Sequence, residues 1–344
     1  MKPTETDSQV GGVDWSSSNA ATTDLSRLDR YRDLYQERVY KPALVAWSDW
    51  RTRFGLLIVG FYVVVALIAA LGLYPSPETN QAPRYLLPLE NMNYVLGTTA
   101  TGTDLLALLV HATPEMMLMI TSGAIWATGV AVLLGTVAGF KGGTTDRVLM
   151  AIADFVMAIP GLPLIMILAI AFTPENPLVL GVLITLNYWA GLGRSIRSQV
   201  LTIREQNYVE ASRTMGTPTH RIIRKDIIPN LMPYVTVNFV TAARYVIFAS
   251  VGLYFLGVLP IGAENWGITM YLAYSTAGAL YTIEAAHWLI APMLAILFLS
   301  LGLILLGQGM DRVFNPRVRT RLAGESESTA ESEAEDSNAS TEIL

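Results

Sequence analysis

Two charges stand inside apolar runs of this chain. Asp154 lies in the run that ends near residue 172, and Arg244 in the run that starts near residue 231. Ionisable groups at membrane depth are costly and face a cavity or a partner. Both are therefore candidates for a solute path or a subunit contact; Asp154 has a contact with the following loop as its other option, and the two could pair with each other. The remaining reactive side chains form no catalytic set. His111, His220 and His287 are scattered without metal-ligand spacing. No Ser/His/Asp or paired-carboxylate arrangement is placed for catalysis. There is no cysteine, hence no disulfide and no thiolate metal site. No Gly-Lys pair occurs, so the G-x-x-x-x-G-K-[ST] loop that cradles ATP phosphates is absent. Any ATP chemistry must sit on other subunits. One polar, basic stretch remains, EASRTMGTPTHRIIRKDIIP at 210–229, lying between long apolar runs.

Composition says what must position these groups. Apolar residues make up 52% and charged residues 15%, whereas soluble domains carry about 25% charged residues. Mean hydropathy is +0.42. Phe54 to Tyr74 is 21 residues without a charge, enough to cross ~30 Å of hydrocarbon. The first 50 residues are polar, so this run reads as a permanent span rather than a signal peptide. The fold expected is an all-α membrane protein with six spans, near 54–74, 115–140, 148–172, 178–193, 231–258 and 287–309. Pro160 and Pro163 should kink or break the third. Gly135 and Gly139, four residues apart, suit close helix packing.

Of the 23 Lys and Arg, 21 fall before the first span, at 141–147, at 194–225 or after 310. The positive-inside rule then makes both termini and the 194–230 loop cytoplasmic, with 75–113, 173–177 and 259–286 outside. The expected organisation is a cytoplasmic N-terminal segment over 1–53, a six-span domain over 54–310 and a cytoplasmic tail over 311–344. The N-terminal segment starts disordered and continues as a short amphipathic helix. The formal charge is −5, and residues 323–344 hold seven Asp or Glu and no Lys or Arg. Such a tail is solvated and disordered.

Ile196, Val200 and Ile203 recur at helical spacing, so the polar loop opens as a helix. Gly216 suits the position just past a helix end. Thr217 can cap a following helix and Pro218 suits its first turn. Two short helices joined at Gly216 therefore lie at the membrane face, with Pro229 and Pro233 marking entry to the fifth span. This elbow is either a connector or a docking knob for a soluble partner. A nucleic-acid-binding helix-turn-helix is a poor reading, because spans abut the segment on both sides, and no nucleic acid is expected as a partner.

Glu210-Ala211-Ser212, then Gly216, then Ile228-Pro229, resembles the EAA…G…LP loop of ABC importer permeases. YVLGTTATGTDLLALL, GFKGGTTDRVLMAIADFVMAIP, YFLGVLPIGAENWG and LLGQGMDRVFNPR resemble, in order, segments of the C-type subunit of dipeptide and oligopeptide importers. The resemblance covers about residues 50 to 320 and implies a type I importer permease, a subunit without catalysis of its own. It implies a second homologous permease, two ABC ATPase subunits that bind ATP and Mg, and an extracellular solute-binding protein. The solute would be a peptide, or alternatively nickel or a sugar. An ion-coupled secondary transporter is the distant alternative; Asp154 alone supports it, and inverted repeats are not evident. Carried over residue by residue, Glu210, Ala211, Ser212, Gly216 and Pro229 belong to the ATPase-coupling loop. A carboxylate there can pair with Arg or Lys of the partner. The chain departs from the family pattern at Thr99, where Asp is expected, at Thr103, where Arg is expected, and at Ser250, where an acid is expected. On the outer side, Glu264 and Trp266 are candidate contacts for the binding protein. Trp266 has a headgroup-level aromatic belt as its other option, and Trp288 is assigned to that belt.

Overall fold

Each long helix follows an uncharged run, with local chemistry fixing where it ends. The computed structural model describes residues 47–259 and 265–314. Helix α1 is Trp50–Ala70. Helix α2, Leu105–Lys141, is capped by Asp104, whose side chain accepts from the Leu106 N–H at 3.0 Å. α3, Gly143–Ala158, and α4, Gly161–Phe172, form a bent pair. α5, Pro177–Ile184, and α6, Tyr188–Arg204, follow, separated by a turn at 185–187. α7 is Asn207–Thr214 and α8 is Thr219–Ile222. A π turn at Ile223–Ile227 leads into α9, Ile228–Phe255. α10, Trp266–Ser275, and α11, Ile283–Phe314, complete the described chain. Among the described residues the only extended pairing is an isolated antiparallel bridge between Thr98 and Asp104.

Among the described residues, four helical runs are long and apolar enough to cross a membrane: Trp50–Ala70, Leu105–Lys141, Thr219–Phe255 and Ile283–Met310. A fifth is the α3–α4 pair, bent by 80°. The break falls at Ile159–Pro160, where the expected proline kink lies: a proline disfavours helical backbone in the residue before it. The expected fourth span, 178–193, maps onto α5 and the start of α6 rather than onto one helix.

Three corrections concern helix ends. α2 starts ten residues before the expected 115 and carries Pro114 inside it. The elbow's second helix is not a separate short element: Thr219–Phe255 runs without a break into the membrane. The π turn explains this. The Ile228 N–H reaches back five residues to the Ile223 carbonyl, so Pro229, which has no N–H, enters at the first turn of α9 without ending the run. Finally, Thr217 makes no side-chain cap; Pro218 occupies the cap position. The N-terminal amphipathic helix and the acidic tail lie outside the described residues, apart from 47–53 and 311–314.

Small residues set the helix spacing. A Cβ built on Gly135 would stand 2.5 Å from the Gly193 carbonyl oxygen, and one on Gly139 would stand 2.9 Å from that of Arg197. α2 and α6 therefore touch backbone to backbone, as the spacing of the two glycines predicts. Gly123 and Gly181 interlock α2 with α5 in the same way, and the Thr185 hydroxyl donates to the Gly123 carbonyl at 3.1 Å beside them. The main core joins Met116, Met119 and Ile120 of α2 to Leu180 and Ile184 of α5, with Val246 and Ile247 of α9. A second core, under the elbow, is built from Phe140, Ile196, Val200, Val209, Ile222, Ile227 and Leu231.

Candidate functional site

Helix α7 ends at Gly216 in a fully hydrogen-bonded stop. The Thr217 N–H donates to the Ser212 carbonyl at 3.1 Å, and the Gly216 N–H to the Arg213 carbonyl at 2.9 Å. This closed turn needs a left-handed residue at its corner, and Gly216 has φ +73°. No heavy atom lies within 4 Å of a Cβ built there, so backbone conformation alone selects glycine. The inner face of the elbow is fixed: Val209 and Ile227 are fully buried against α2 and α6. Its outer face is bare. Glu210, Ala211, Gly216 and Pro229 are exposed and Ser212 is half-buried. Met215 is 74% exposed, a large apolar side chain on that bare face.

The structure gives Asp154 a partner other than Arg244. Asp154 forms an ion pair with Arg194, the first residue of the polar loop, and both side chains are about half exposed. The contact with the loop is thus realised, and the Asp154–Arg244 pairing is not. One turn of α6 further on, Arg197 grips both carboxylate oxygens of Asp146 through its Nε and Nη2. Two ion pairs thus stitch α3 to α6 beside the elbow. Sequence reading missed Arg194 and Arg197 as partners, although their spacing of three places them on one helix face. Arg244 sits half-buried in α9 with its Nε buried and unpartnered.

At the end of the bundle away from the elbow, three expected charges are replaced by hydroxyl residues. Where an Asp and an Arg are expected, Thr99 and Thr103 are buried and joined through Thr101: hydroxyl oxygens lie 2.9 Å apart between Thr99 and Thr101 and 3.0 Å apart between Thr101 and Thr103. The Thr99 hydroxyl also accepts from the Thr103 N–H at 3.2 Å. A hydroxyl ladder here holds the turn that precedes α2. Ser250 is buried and donates to the Ile247 carbonyl at 3.0 Å, which satisfies it without an acid. Both tryptophan assignments need correction. Trp266 is 1% exposed, donates from Nε1 to the Leu109 carbonyl at 3.1 Å and packs on Tyr62 with ring centroids 5.6 Å apart. Trp288 is 4% exposed, within the cluster of Leu105, Ala273 and Leu289. Neither reaches a headgroup or an outside partner, because each ring fills interior space between helices. Glu264 lies outside the described residues.

Long apolar helices, glycine-mediated packing and a broken span define a multi-pass membrane protein. The chain belongs to the family of binding-protein-dependent transport system inner membrane components, which matches residues 131–320. That family comprises the non-catalytic transmembrane subunits of ABC importers, so membership implies an ATPase and a solute-binding protein as partners, and the chain is an importer permease of the cell membrane. It is 28% identical over 294 residues to the oligopeptide transport system permease protein OppC of Bacillus subtilis, covering 82% of this chain and 93% of that one. It is 28% identical over 304 residues to the dipeptide transport system permease protein DppC of the same organism, covering 85% and 92%. With OppC of Lactococcus lactis subsp. lactis the identity is 30% over 246 residues, covering 71% and 82%. A chain from inward-facing conformations of the MetNI methionine ABC transporter aligns at 20% identity with a TM-score of 0.47, covering 60% of this chain and 96% of that one.

Proposed function

We propose that this chain is one of two homologous permease subunits of a peptide importer, and that its elbow is where a cytoplasmic ATPase drives it. The observation that carries the reading is the elbow's two-sided build. Its inner face is locked into the bundle, its outer face is exposed, and its second helix is continuous with α9. A push on such an element is delivered to a span as a rigid-body motion rather than absorbed in a loop. Glu210, Ala211, Ser212, Gly216 and Pro229 form the docking loop, with Glu210 offered to a basic side chain of the partner. The peptide assignment rests on relatives named as oligopeptide and dipeptide permeases.

In this reading both termini and the elbow are cytoplasmic, and six crossings are made by α1, α2, α3 with α4, α5 with α6, α9 and α11. The permease domain covers 54–310, flanked by the segments 1–53 and 311–344. Two ATPase subunits hold ATP and Mg, an extracellular binding protein delivers the peptide, and a second permease completes the path. Arg244 is a contact on that path or at the permease–permease interface, as a charge half-buried in a membrane-spanning helix. ATP closes the ATPases, the elbows move, and the path opens outward; hydrolysis returns it inward. Switching follows because the ATPases bind the two states with different free energy.

Reconstitution in proteoliposomes tests the reading. Uptake of a labelled peptide is expected only when the second permease, both ATPase subunits, ATP and the binding protein are all present. Uptake driven by an ion gradient without ATP would contradict it.

A further inference from the structure

A cleft of about 700 Å³ opens between the end of α2 and the elbow, lined by Phe140, Lys141, Arg204, Glu205, Arg213 and Thr219. The docking face does not use it. Arg213 and Ala211 are two residues apart on α7, hence about 200° apart around the helix. Arg213 shares its side with buried Val209, four residues earlier, and faces α2.

The lining carries three cations against one carboxylate. The nearby Asp146 is already held by Arg197. Two of the cations are pre-positioned. The Arg204 Nη1 donates to the Gly139 carbonyl at 2.9 Å, and the Arg213 guanidinium stands 4.8 Å over the Phe140 ring. Each guanidinium has five N–H donors, so these contacts leave donors for an anion. The depth of the cleft narrows the kind of anion. Between Glu115 and Lys141, α2 has no charged residue. Those 25 residues rise about 37 Å, slightly more than the ~30 Å of hydrocarbon. Lys141 is the first charge beyond them, so the cleft lies at headgroup level. Basic pockets between helices at that level suit lipid phosphates.

We propose that this cleft binds the phosphate of an anionic phospholipid headgroup and braces the elbow against the membrane face. The site requires only that α2 crosses the membrane, so it stands apart from what docks on the elbow. The chemistry recognised is a phosphate mono- or dianion, and free phosphate shares it.

The test is native mass spectrometry of the full-length chain in its assembled transporter, titrated with phosphatidylglycerol, phosphatidylcholine or inorganic phosphate. Phosphatidylglycerol is expected to bind in preference to phosphatidylcholine. The double variant Lys141→Gln, Arg213→Gln is expected to weaken it about 25-fold, at about fivefold per cation near an anionic surface, with phosphatidylcholine unaffected. Both side chains are exposed, so folding is not at stake. Arg213→Lys, which keeps the charge, should retain most of the binding. Equal binding of phosphatidylglycerol by wild type and double variant overturns the site. Displacement of the lipid by millimolar inorganic phosphate overturns its assignment to a lipid.

Discussion

Gly216→Val is expected to reduce substrate-stimulated ATP hydrolysis by the assembled transporter to its unstimulated level while leaving membrane insertion intact. The position combines φ +73° with open space around the built Cβ. No clash is created, and no buried contact is lost. The whole effect comes from asking a β-branched residue to take left-handed backbone, which costs on the order of 1–3 kcal/mol. At about 1.4 kcal/mol per tenfold, the preference for the closed turn falls by about 5- to 150-fold, and the angle of the outer face of α7 to α9 is held correspondingly less firmly. Gly216→Asn is the control. Asparagine tolerates left-handed backbone, so its stimulated activity is expected within about threefold of wild type, given a strain of a few tenths of a kcal/mol. Glu210→Lys should match Gly216→Val in outcome by a different route, since it keeps the turn and reverses the charge offered to the partner. Normal stimulated activity in both Gly216→Val and Glu210→Lys would refute the docking role.

The second large effect is on assembly of the bundle itself. Gly135→Leu places atoms where the Gly193 carbonyl and the Ile196 side chain already are, 2.5 Å and 2.9 Å from the first added carbon. Backbone on one side and a fully buried side chain on the other leave nothing flexible to move, so α2 and α6 must separate. Overpacking of this kind costs about 1–3 kcal/mol or more, and in lipid no water-driven term offsets lost packing between helices. A fall in the thermal midpoint of the detergent-solubilised chain, with loss of folded yield, is the expected result. Gly129→Ala, six residues earlier on the same helix, is the matched comparison: nothing lies within 4 Å of its built Cβ. There the gain in helix propensity, about 0.5–1 kcal/mol, should leave the midpoint unchanged or raised. Equal behaviour of the two variants would show that Gly135 is not a packing position.

What could be read from the sequence was what local chemistry decides. The proline pair at 160 and 163 located the broken span, Gly216 located the elbow's corner, and Gly135 with Gly139 located a helix contact, because each rests on backbone geometry that a single residue type dictates. What escaped notice depends on the rest of the fold. Pro229 does open α9, but the elbow's second helix, expected to be separate, continues into it through the π turn. The second span was expected from residue 115, yet its helix starts at Leu105 and carries Pro114 inside it. Asp154 had two options, the following loop or Arg244; the structure takes the first, but its partner Arg194 was not named, because which residue α6 carries alongside α3 depends on helix packing. Trp266 and Trp288 followed the rule for aromatic belts, but burial between helices depends on how neighbouring helices pack, which no local pattern encodes.

The docking claim can be checked directly, because the chain contains no cysteine. Ala211→Cys introduces a single thiol on the exposed outer face of α7, and a short homobifunctional or disulfide reagent then reports what stands against it in the assembled transporter. The account predicts a crosslink to an ATPase subunit whose yield changes between nucleotide-free and ATP-trapped states, and none from a cysteine introduced at Glu90, at the opposite end of the bundle. A cysteine at 211 that stays freely reactive in the active complex, and crosslinks to no ATPase in either state, would contradict it.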